Sequence, residues 1–373
     1  MIKVMVVFGT RPEAIKMCPV VAELARHDTV ETVVCVTGQH KEMLHQVLEV
    51  FKVHPRYNLE VMRHGQTLSD LTILILDGIQ KILEAEHPDL VLVHGDTTTA
   101  YASALAGFYR RIPVGHVEAG LRTYDIYAPF PEEYNRQAID IMSTFLFAPT
   151  EDARNNLLGE HKAEKDIYVT GNTVIDALHK TISMDYKHEC LEWAEGSRLI
   201  LFTAHRRESM GNAMAGMFRA VKRIVEDNGD VRVIYPVHMN PDIRKAAVKY
   251  LGGIERIRLI EPLDVVDFHN FMANSYLILT DSGGIQEEAA FFGKPVLVMR
   301  DVTERPEGLK TGVLKLVGTS EEKIYDECRK LLNNPAEYAR MAEASNPYGD
   351  GKASERIVDI ILHKLENKSG QEN

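Results

Sequence analysis

Residues 276–300 read YLILTDSGGIQEEAAFFGKPVLVMR, and this stretch decides the fold. Its two apolar runs, YLILT at 276–280 and PVLVM at 295–299, have the length and composition of buried strands. Between them, paired glycines stand where the first strand would turn into a helix. The stretch therefore predicts a strand, a helix and a second strand, the repeating unit of a parallel sheet covered by helices.

The same alternation of short apolar runs and longer amphipathic segments extends through nearly the whole chain. A first series of predicted strands comprises IKVMVVF (2–8), TVVCVT (32–37), LVLVH (90–94), PVGHV (113–117), FLFA (145–148) and IYVT (167–170). A polar stretch follows at 183–197, and a second series comprises RLILFT (198–203), VRVIY (231–235), IRLI (257–260) and the two runs quoted above. We therefore predict an α/β fold with two parallel-sheet units, and ligands in a cleft at the carboxyl ends of the strands.

The composition limits the classes of function. The chain has 373 residues and a formal net charge of −11, which argues against nucleic-acid and membrane-surface binders, since either needs a basic face. Four dispersed cysteines without a C-x-x-C pair predict reduced thiols. The opening apolar segment is too short for a signal peptide, and no apolar run approaches the roughly 20 residues that span a bilayer. We expect a cytoplasmic protein with no nucleic-acid or membrane partner.

The loop after the first predicted strand, GTRPEAIKM at 9–17, is a candidate anion site. Gly9 permits close backbone approach, and Pro12 suits the first turn of a helix. Arg11 and Lys16 would then sit at the positive end of that helix, where a diphosphate is stabilised. The alternative is a solvated basic helix start. The segment matches neither the dinucleotide fingerprint nor the P-loop pattern.

Acidic residues follow the next strands of the first unit. Asp96 and Glu118 come just after the strands at 90–94 and 113–117, so parallel pairing would bring their carboxylates to one edge. Close carboxylates push their pKa values apart, which leaves one as an acid and the other as a base. For Asp96 the alternative is a helix cap. Glu132 and Glu133 begin a further predicted helix, where acidic residues also occur for dipole reasons alone.

The second unit supplies basic and amide groups. His205 and Arg206 follow the strand at 198–203, an arrangement suited to a phosphate or a leaving oxygen. Ser282, Gly283 and Gly284 offer backbone amides for phosphate, and Glu288 lies one helical turn further, where its carboxylate can bind a ribose diol. This order of groups suits a nucleoside diphosphate, and the alternative is a flexible turn with a solvated acidic helix start. Two more candidates are His238, after the strand at 231–235, and a second phosphate clamp, Arg305.

Six of these segments, in their order and spacing, resemble the non-hydrolysing UDP-N-acetylglucosamine 2-epimerases. They are GTRPEAIKMCPVV, VHGDTTT, GHVEAGLRT, PFPEEYNR, TAHRRES and TDSGGIQEEA. The resemblance implies two Rossmann-like domains of the glycosyltransferase-B type with the active site between them, and a homodimer. It also implies reversible conversion of UDP-GlcNAc to UDP-ManNAc for surface polysaccharides, with no nicotinamide, metal or other cofactor. The implied domains are 1–171 with the C-terminal helix 354–373, and 172–353.

The resemblance also assigns residues by position. The implied catalytic residues are Asp96, Glu118, Glu132 and His205. The implied substrate-binding residues are Arg11, Lys16, Phe268, Ser282, Gly283, Gly284, Glu288 and Arg305. A second UDP-GlcNAc that activates the enzyme would contact Gln39, His40, Gln66, Arg206 and His238. One departure is Leu263, where some members of the family carry glutamine, so no base-reading role is assigned there.

The chemistry expected from the resemblance is elimination followed by re-addition. UDP leaves C1 of the sugar as the C2 proton is removed, and both add back to 2-acetamidoglucal with the opposite configuration at C2. The sequence does not assign which carboxylate takes the proton. Three other functions remain open: a glycosyltransferase with the same UDP site and an acceptor pocket, a hydrolysing epimerase, and a nucleotide-sugar sensor without turnover.

Overall fold

A computed structural model describes residues 1–38, 41–63, 65–206, 210–303 and 305–369. The chain divides into two compact units. Unit 1 comprises Met1–Lys180 and the chain from Gly349 onward, and unit 2 comprises Thr181–Tyr348. The change of unit falls at 180/181 and 348/349. One reason is that Asp176 accepts hydrogen bonds from the amides of Ala353 and Ser354, which ties both segments to unit 1.

Unit 1 is built on a seven-stranded parallel sheet. Its strands are β1 (Ile2–Phe8), β2 (Val30–Val36), β3 (Tyr57–Asn58), β4 (Leu90–His94), β5 (Val114–Val117), β6 (Phe145–Ala148) and β7 (Ile167–Val169). The spatial order is β3-β2-β1-β4-β5-β6-β7. The helices between Met1 and Thr181 are α1 (Arg11–Leu24), α2 (Lys41–Phe51), α3 (Leu68–Glu86), α4 (Thr98–Tyr109), α5 (Glu132–Met142), α6 (Glu151–Gly159) and α7 (Thr173–Thr181).

Unit 2 repeats this plan with a six-stranded parallel sheet. Its strands are β8 (Arg198–Thr203), β9 (Val231–Pro236), β10 (Ile257–Ile260), β11 (Leu277–Thr280), β12 (Val296–Val298) and β13 (Leu314–Leu316). The spatial order is β10-β9-β8-β11-β12-β13. Its helices are α8 (Glu189–Trp193), α9 (Asn212–Asp227), α10 (Pro241–Leu251), α11 (Val265–Asn274), α12 (Gly283–Phe291), α13 (Pro306–Thr311), α14 (Glu321–Asn333) and α15 (Pro335–Ala342).

The chain then returns to unit 1 as α16 (Ala353–Ser369), which packs against α1. Its buried face includes Ile357, Val358 and Ile361, each 0% exposed. Across the described residues, none of the helices combines the length and apolarity that a bilayer crossing would need.

The predicted α/β fold with two parallel sheets is confirmed, and each predicted strand forms within two residues of its predicted ends. Two observed strands, β3 and β13, were not predicted. Both are at most three residues long, and only one residue between them is buried. They therefore lack the apolar run that identifies the other strands.

Both sheets place the first strand of the unit beside the fourth. β1 pairs with β2 on one side and β4 on the other, and β8 likewise lies between β9 and β11. Where the strand order reverses in this way, the connections diverge and open a crevice at the carboxyl ends of the strands. The loops after β1, β4, β8 and β11 are therefore where each unit is expected to bind its ligand.

Candidate active site

The loop after β1 is held by an internal carboxylate. Thr10 caps α1 and forms a capping box with Glu13, whose carboxylate accepts the amides of Gly9 at 3.0 Å and Thr10 at 2.7 Å. The other carboxylate oxygen of Glu13 accepts the Thr97 hydroxyl at 2.6 Å, which joins this loop to the one after β4. Pro12 lies in the first turn, as predicted. Glu13 therefore already occupies two amides of this loop, those of Gly9 and Thr10.

Lys16 is buried and forms an ion pair with Glu118. Only 7% of Lys16 is exposed, so the alternative of a solvated basic helix start does not hold for this residue. Arg11 is the first residue of α1 and is half-buried. The ammonium group of Lys16 therefore stabilises the ionised form of the Glu118 carboxylate.

Glu118 leaves β5 in a left-handed backbone conformation, with φ at 70°. Its Oε2 atom lies 3.5 Å from Nε2 of His94 and accepts the Asn172 amide at 3.4 Å, in addition to the Lys16 ion pair. His94 is 4% exposed. The strained backbone and the converging polar groups together fix the direction of one carboxylate, a feature typical of functional sites.

Asp96 does not cap the helix that follows it. The cap of α4 is Thr97, whose hydroxyl accepts the Ala100 amide at 3.1 Å. The Asp96 carboxylate instead accepts the Arg136 guanidinium at 2.5 Å, and Asn135 donates to the Asp96 carbonyl at 2.9 Å. The helix-cap interpretation of Asp96 is therefore wrong, and about a quarter of its side chain, 26%, remains exposed.

Glu132 and Glu133, adjacent at the start of α5, have different environments. Burial raises the pKa of Glu132, and the nearby Asp96 carboxylate raises it further. Glu133 is fully buried and accepts the amides of Thr123 and Tyr124, each at 3.0 Å. Glu132 is thus suited to hold a proton, whereas Glu133 stabilises the preceding loop.

His205 follows β8 and is oriented by Asp281, which follows β11. Its Nδ1 lies 3.0 Å from Oδ1 of Asp281, and Oδ2 of Asp281 accepts the amides of His205 at 2.8 Å and Arg206 at 2.9 Å. Burial alone would raise the pKa of Asp281, but the His205 contacts and these amides hold it below its usual value. The His205 side chain is 39% exposed, so part of the ring is open to solvent.

Three predicted residues of the second binding site lie in the described part of the chain. His238 stacks on His205 with ring centroids 5.8 Å apart, and burial lowers the pKa of His238. Arg206 donates from Nε to the Asp281 carbonyl at 2.9 Å. Gln66 is in unit 1, where its side-chain oxygen accepts the amide of Arg63. Gln39 and His40 lie outside the described residues.

The glycines after β11 open a helix whose amides are not capped by a side chain. Ser282 occupies the cap position of α12 without a side-chain cap bond, and Gly283 and Gly284 form the first turn. A Cβ placed on Gly284 would lie 3.9 Å from Oε1 of Glu288, so this carboxylate reaches back toward the amides. Amides and carboxylate therefore lie close together, in the order predicted for a phosphate and a ribose.

Neighbouring groups hold Glu288 and Arg305. His269 is 1% exposed, and its Nε2 lies 3.6 Å from Glu288 while its Nδ1 is 2.6 Å from the Thr181 hydroxyl. Arg305 donates from Nε to Glu287 at 2.7 Å, which anchors the second predicted clamp beside α12. Phe268 is half-buried on α11.

The structure adds site residues that the sequence analysis did not assign. They are His94, Arg136, Asn172, His269 and Asp281. Asp281 could have been identified, because it stands between a strand and the two glycines. The others lie on elements distant in sequence from the carboxylates they contact. Within the described ranges, no three His, Cys, Asp or Glu side chains gather as metal ligands would.

The chain is similar to proteins of one family along nearly its whole length. A family profile described as UDP-N-acetylglucosamine 2-epimerase matches residues 22–362. A UDP-N-acetylglucosamine 2-epimerase from Bacillus subtilis is 54% identical over 361 residues, covering 97% of this chain and 95% of that relative.

Solved structures agree with the sequence comparison. The Staphylococcus aureus MnaA–UDP co-structure matches with a TM-score of 0.92 at 51% identity, covering 98% of this chain and 97% of that one. The Neisseria meningitidis UDP-GlcNAc 2-epimerase bound to UDP-GlcNAc matches with a TM-score of 0.91 at 45% identity, covering 97% of this chain and 100% of that one. The similarity therefore extends over both units.

Proposed function

The chain belongs to the UDP-N-acetylglucosamine 2-epimerase family, and we propose that it interconverts UDP-GlcNAc and UDP-ManNAc without releasing the sugar. The observation that carries the proposal is the difference in environment between two carboxyl groups of unit 1, those of Glu118 and Glu132. Glu118 is paired with a buried lysine, while the pKa of Glu132 is raised by burial and by Asp96. The two carboxyl groups thus differ in their tendency to hold a proton, as proton exchange at carbon requires.

Unit 2 binds the UDP part of the substrate in this proposal. The amides of Gly283 and Gly284 suit a phosphate, because a helix N-terminus carries partial positive charge, whereas the Ser282 amide donates to the Thr280 hydroxyl at 3.0 Å. Glu288 suits the ribose diol, and Arg305 and His205 add positive or donating groups for the diphosphate. The relative from Staphylococcus aureus was solved with UDP, which supports the same class of ligand here.

The reaction proceeds by elimination and re-addition. A carboxylate removes the proton from C2, the C1–O bond breaks with its electron pair leaving on UDP, and a C1–C2 double bond forms. The resulting 2-acetamidoglucal then receives a proton at the opposite face of C2, and a β-phosphate oxygen of UDP bonds again to C1. Atoms and charge balance without an oxidant, and the enzyme returns to its starting protonation once the two carboxyl groups exchange protons with solvent.

The residues of unit 1 supply the groups for proton transfer. Glu118, Asp96 and Glu132 lie at the loops after β5 and β4 and at the start of α5, and Lys16 forms an ion pair with Glu118. A fixed carboxylate near C1 also stabilises the positive charge that develops as UDP leaves. A glycosyltransferase would have no comparable need for three acidic residues, so epimerisation is the function that this set favours.

We also propose a second UDP-GlcNAc site that activates the enzyme. His238 stacks on His205, and Arg206 shares Asp281 with it, so a ligand that displaces His238 or Arg206 would move a catalytic residue. Gln66, in unit 1, is assigned to this proposal by the family resemblance alone. A homodimer and the supply of ManNAc units to surface polysaccharides belong to the same proposal, on the strength of the family resemblance.

An NMR time course in D2O tests the reaction. UDP-GlcNAc is incubated with the protein without acceptor or added cofactor, and UDP-ManNAc carrying deuterium at C2 is expected. The Glu118→Gln variant should slow this exchange by at least about 10²-fold while UDP binding is retained. Accumulation of free ManNAc and UDP would instead indicate a hydrolysing enzyme. An unchanged substrate would contradict the proposal and favour a transferase or a sensor.

A further inference from the structure

Four charged side chains form a buried cluster in unit 1 that the proposed reaction does not use. His116 and Asp140 are 0% exposed, and so is the side chain of Arg122. The fourth, Glu160, is 28% exposed at its side chain. His116 lies on β5, two residues before Glu118, and Asp140 lies on α5. Burial of this many charges costs several kcal/mol per ion unless each is paired, so the cluster needs an explanation.

Both ring nitrogens of His116 face acceptors. Nδ1 lies 2.6 Å from Oδ1 of Asp140, and Nε2 lies 2.7 Å from the backbone carbonyl of Gly95. A carbonyl oxygen only accepts hydrogen bonds, so Nε2 must carry a proton. A neutral imidazole has one N–H, so Nδ1 is then protonated only in the imidazolium form, unless Asp140 donates instead.

The surroundings of Asp140 favour its ionised form. Its Oδ2 accepts Arg122 at 2.6 Å and the Gly120 amide at 3.3 Å, so three donors converge on one carboxylate. Burial alone would raise the pKa of Asp140, but it is lowered because His116 and Arg122 lie beside it. An ionised Asp140 accepts from Nδ1 of His116, which leaves both ring nitrogens as donors.

Two cations lie beside the carboxylates of the cluster. Arg122 donates from Nε to Oε1 of Glu160 at 2.6 Å and from a second nitrogen to Asp140. Lys162 also faces the cluster; burial lowers its pKa, although Asp140 and Glu160 act against this. Asp140 and Glu160 therefore have cationic partners besides His116, and the protonation of His116 follows from the hydrogen bonds of its two ring nitrogens.

The hydrogen bonds of the cluster connect the two loops that carry Asp96 and Glu118. Gly95 has φ at 64° and Glu118 has φ at 70°, so the backbone turns sharply at the end of β4 and again at the end of β5. The Gly95 carbonyl accepts from His116, and its amide donates to the Val117 carbonyl at 3.0 Å. The Asp140 carboxylate also accepts the amide of Gly120, which lies two residues after Glu118. The His116 ring and the Asp140 carboxylate therefore connect the turn at Gly95 with the turn at Glu118.

We propose that His116 is a positioning residue, held as an imidazolium, whose Nε2–H fixes the Gly95 turn while its Nδ1–H is held by Asp140, and that it thereby sets Asp96 in place relative to Glu118. This inference rests on the proposed function only for the roles of Asp96 and Glu118. The charge state of His116 follows from the hydrogen bonds alone. His116 acts on the reaction rate through the position of Asp96, because misplacing a catalytic group by about 1 Å lowers the rate on the order of 10²-fold.

The charge state is tested by NMR on the full chain labelled with ¹⁵N-histidine. Long-range ¹H–¹⁵N spectra distinguish imidazolium from either neutral tautomer. We expect the His116 ring to be doubly protonated at pH 7, with its signals absent from His116→Gln. The Asp140→Asn variant keeps the ring but removes its counter-charge, so the same signals should change to those of a neutral ring. A neutral His116 at pH 7 in the unmodified protein would overturn the inference.

Kinetics test the positioning role. Asp140→Asn should lower kcat for epimerisation by roughly 10²-fold with little change in KM, because the diphosphate contacts lie in unit 2. Asp77→Asn, on the exposed side of α3, is the matched control and should keep full activity. An active protein with a neutral His116 would refute the inference alone. An inactive protein with a doubly protonated His116 would refute the proposed function and leave the charge assignment standing.

Discussion

Glu132 and Asp96 show how two carboxyl groups of one unit come to differ in acidity. Asp96 accepts a guanidinium from Arg136, whereas Glu132 is half-buried beside that already charged carboxylate. Burial disfavours the ionised form of Glu132, and repulsion from Asp96 adds to the effect. The proton therefore stays on Glu132 to a higher pH than on an ordinary glutamate.

The titration of Glu132 provides the first prediction. Its pKa should lie above the ordinary value of 4.5. Asp96→Asn should lower it, since the like charge is gone and Arg136 loses its partner, but burial should still keep it above that value. ¹³C NMR of labelled glutamate over a pH series measures both values. An unchanged pKa in Asp96→Asn would show that Asp96 does not act on Glu132, and Asp77→Asn serves as the control.

At the same scale, the sequence displays candidate residues but not their partners. Asp96, Glu118 and His205 were proposed because each comes within two residues of the end of an apolar strand, a position that the chain itself displays. Lys16 was expected to face a diphosphate, yet the structure pairs it with Glu118, 102 residues away in the chain. Such pairings depend on which strands become neighbours, and no local pattern encodes that order.

The connection between β5 and α5 is the element on which the acidic site depends. Gly120 has φ at 86°, and a Cβ placed there would lie 2.3 Å from the backbone carbonyl of Ala153 on α6. A backbone atom cannot move aside as the end of a side chain can. The loop that carries Glu118 is therefore packed directly on the start of α6, which fixes its path.

Gly120→Ala should strongly destabilise unit 1. Gly65→Ala is the matched control, because Gly65 has φ at 76° and nothing within 4 Å of an added Cβ. The left-handed backbone should lower the free energy of unfolding of both variants by roughly 1 kcal/mol. Overpacking should lower that of Gly120→Ala by a further ~1–3 kcal/mol. Urea unfolding followed by circular dichroism compares the two. Equal losses would mean that the loop moves away from α6 without cost.

Element prediction succeeded where an apolar run was long enough to be recognised. The predicted strands at 2–8, 90–94, 145–148, 198–203 and 257–260 match the observed bounds residue for residue. The strand at Tyr57–Asn58 could not be predicted, because its two residues are not apolar enough to suggest burial. It forms by pairing with the edge of β2, a tertiary contact that overrides weak local preference.

The whole molecule combines two sheets of the same order, consistent with the glycosyltransferase-B type implied by the resemblance. Arg11, Asp96, His205 and the glycines after β11 lie at the loops beside the reversal of strand order, and Glu118 follows the next strand, β5. Unit 1 is discontinuous in sequence, because α16 returns to it after unit 2 is complete. The Asp176 carboxylate, on α7, holds the first turn of α16 through the amides of Ala353 at 3.2 Å and Ser354 at 2.7 Å.

Asp176→Ala should loosen α16 from unit 1. Loss of the buried acceptor leaves two amides without a partner, at a cost of roughly 1–3 kcal/mol. Hydrogen exchange at Ala353 and Ser354 should become faster, and the free energy of unfolding of unit 1 should fall. Asp359→Ala, on the exposed face of the same helix, should change stability by no more than about 0.5 kcal/mol. Unchanged exchange in Asp176→Ala would refute the capping role.

The return of α16 has a consequence for the order of events at the ribosome. Synthesis runs from the N-terminus, so α1 emerges more than three hundred residues before its partner Ala353–Ser369. The apolar face of α1 that α16 covers stays exposed while all of unit 2 is made, although domains generally fold as units during synthesis. Unit 2, continuous in sequence, is therefore expected to reach its final structure before unit 1, even though unit 1 is started first.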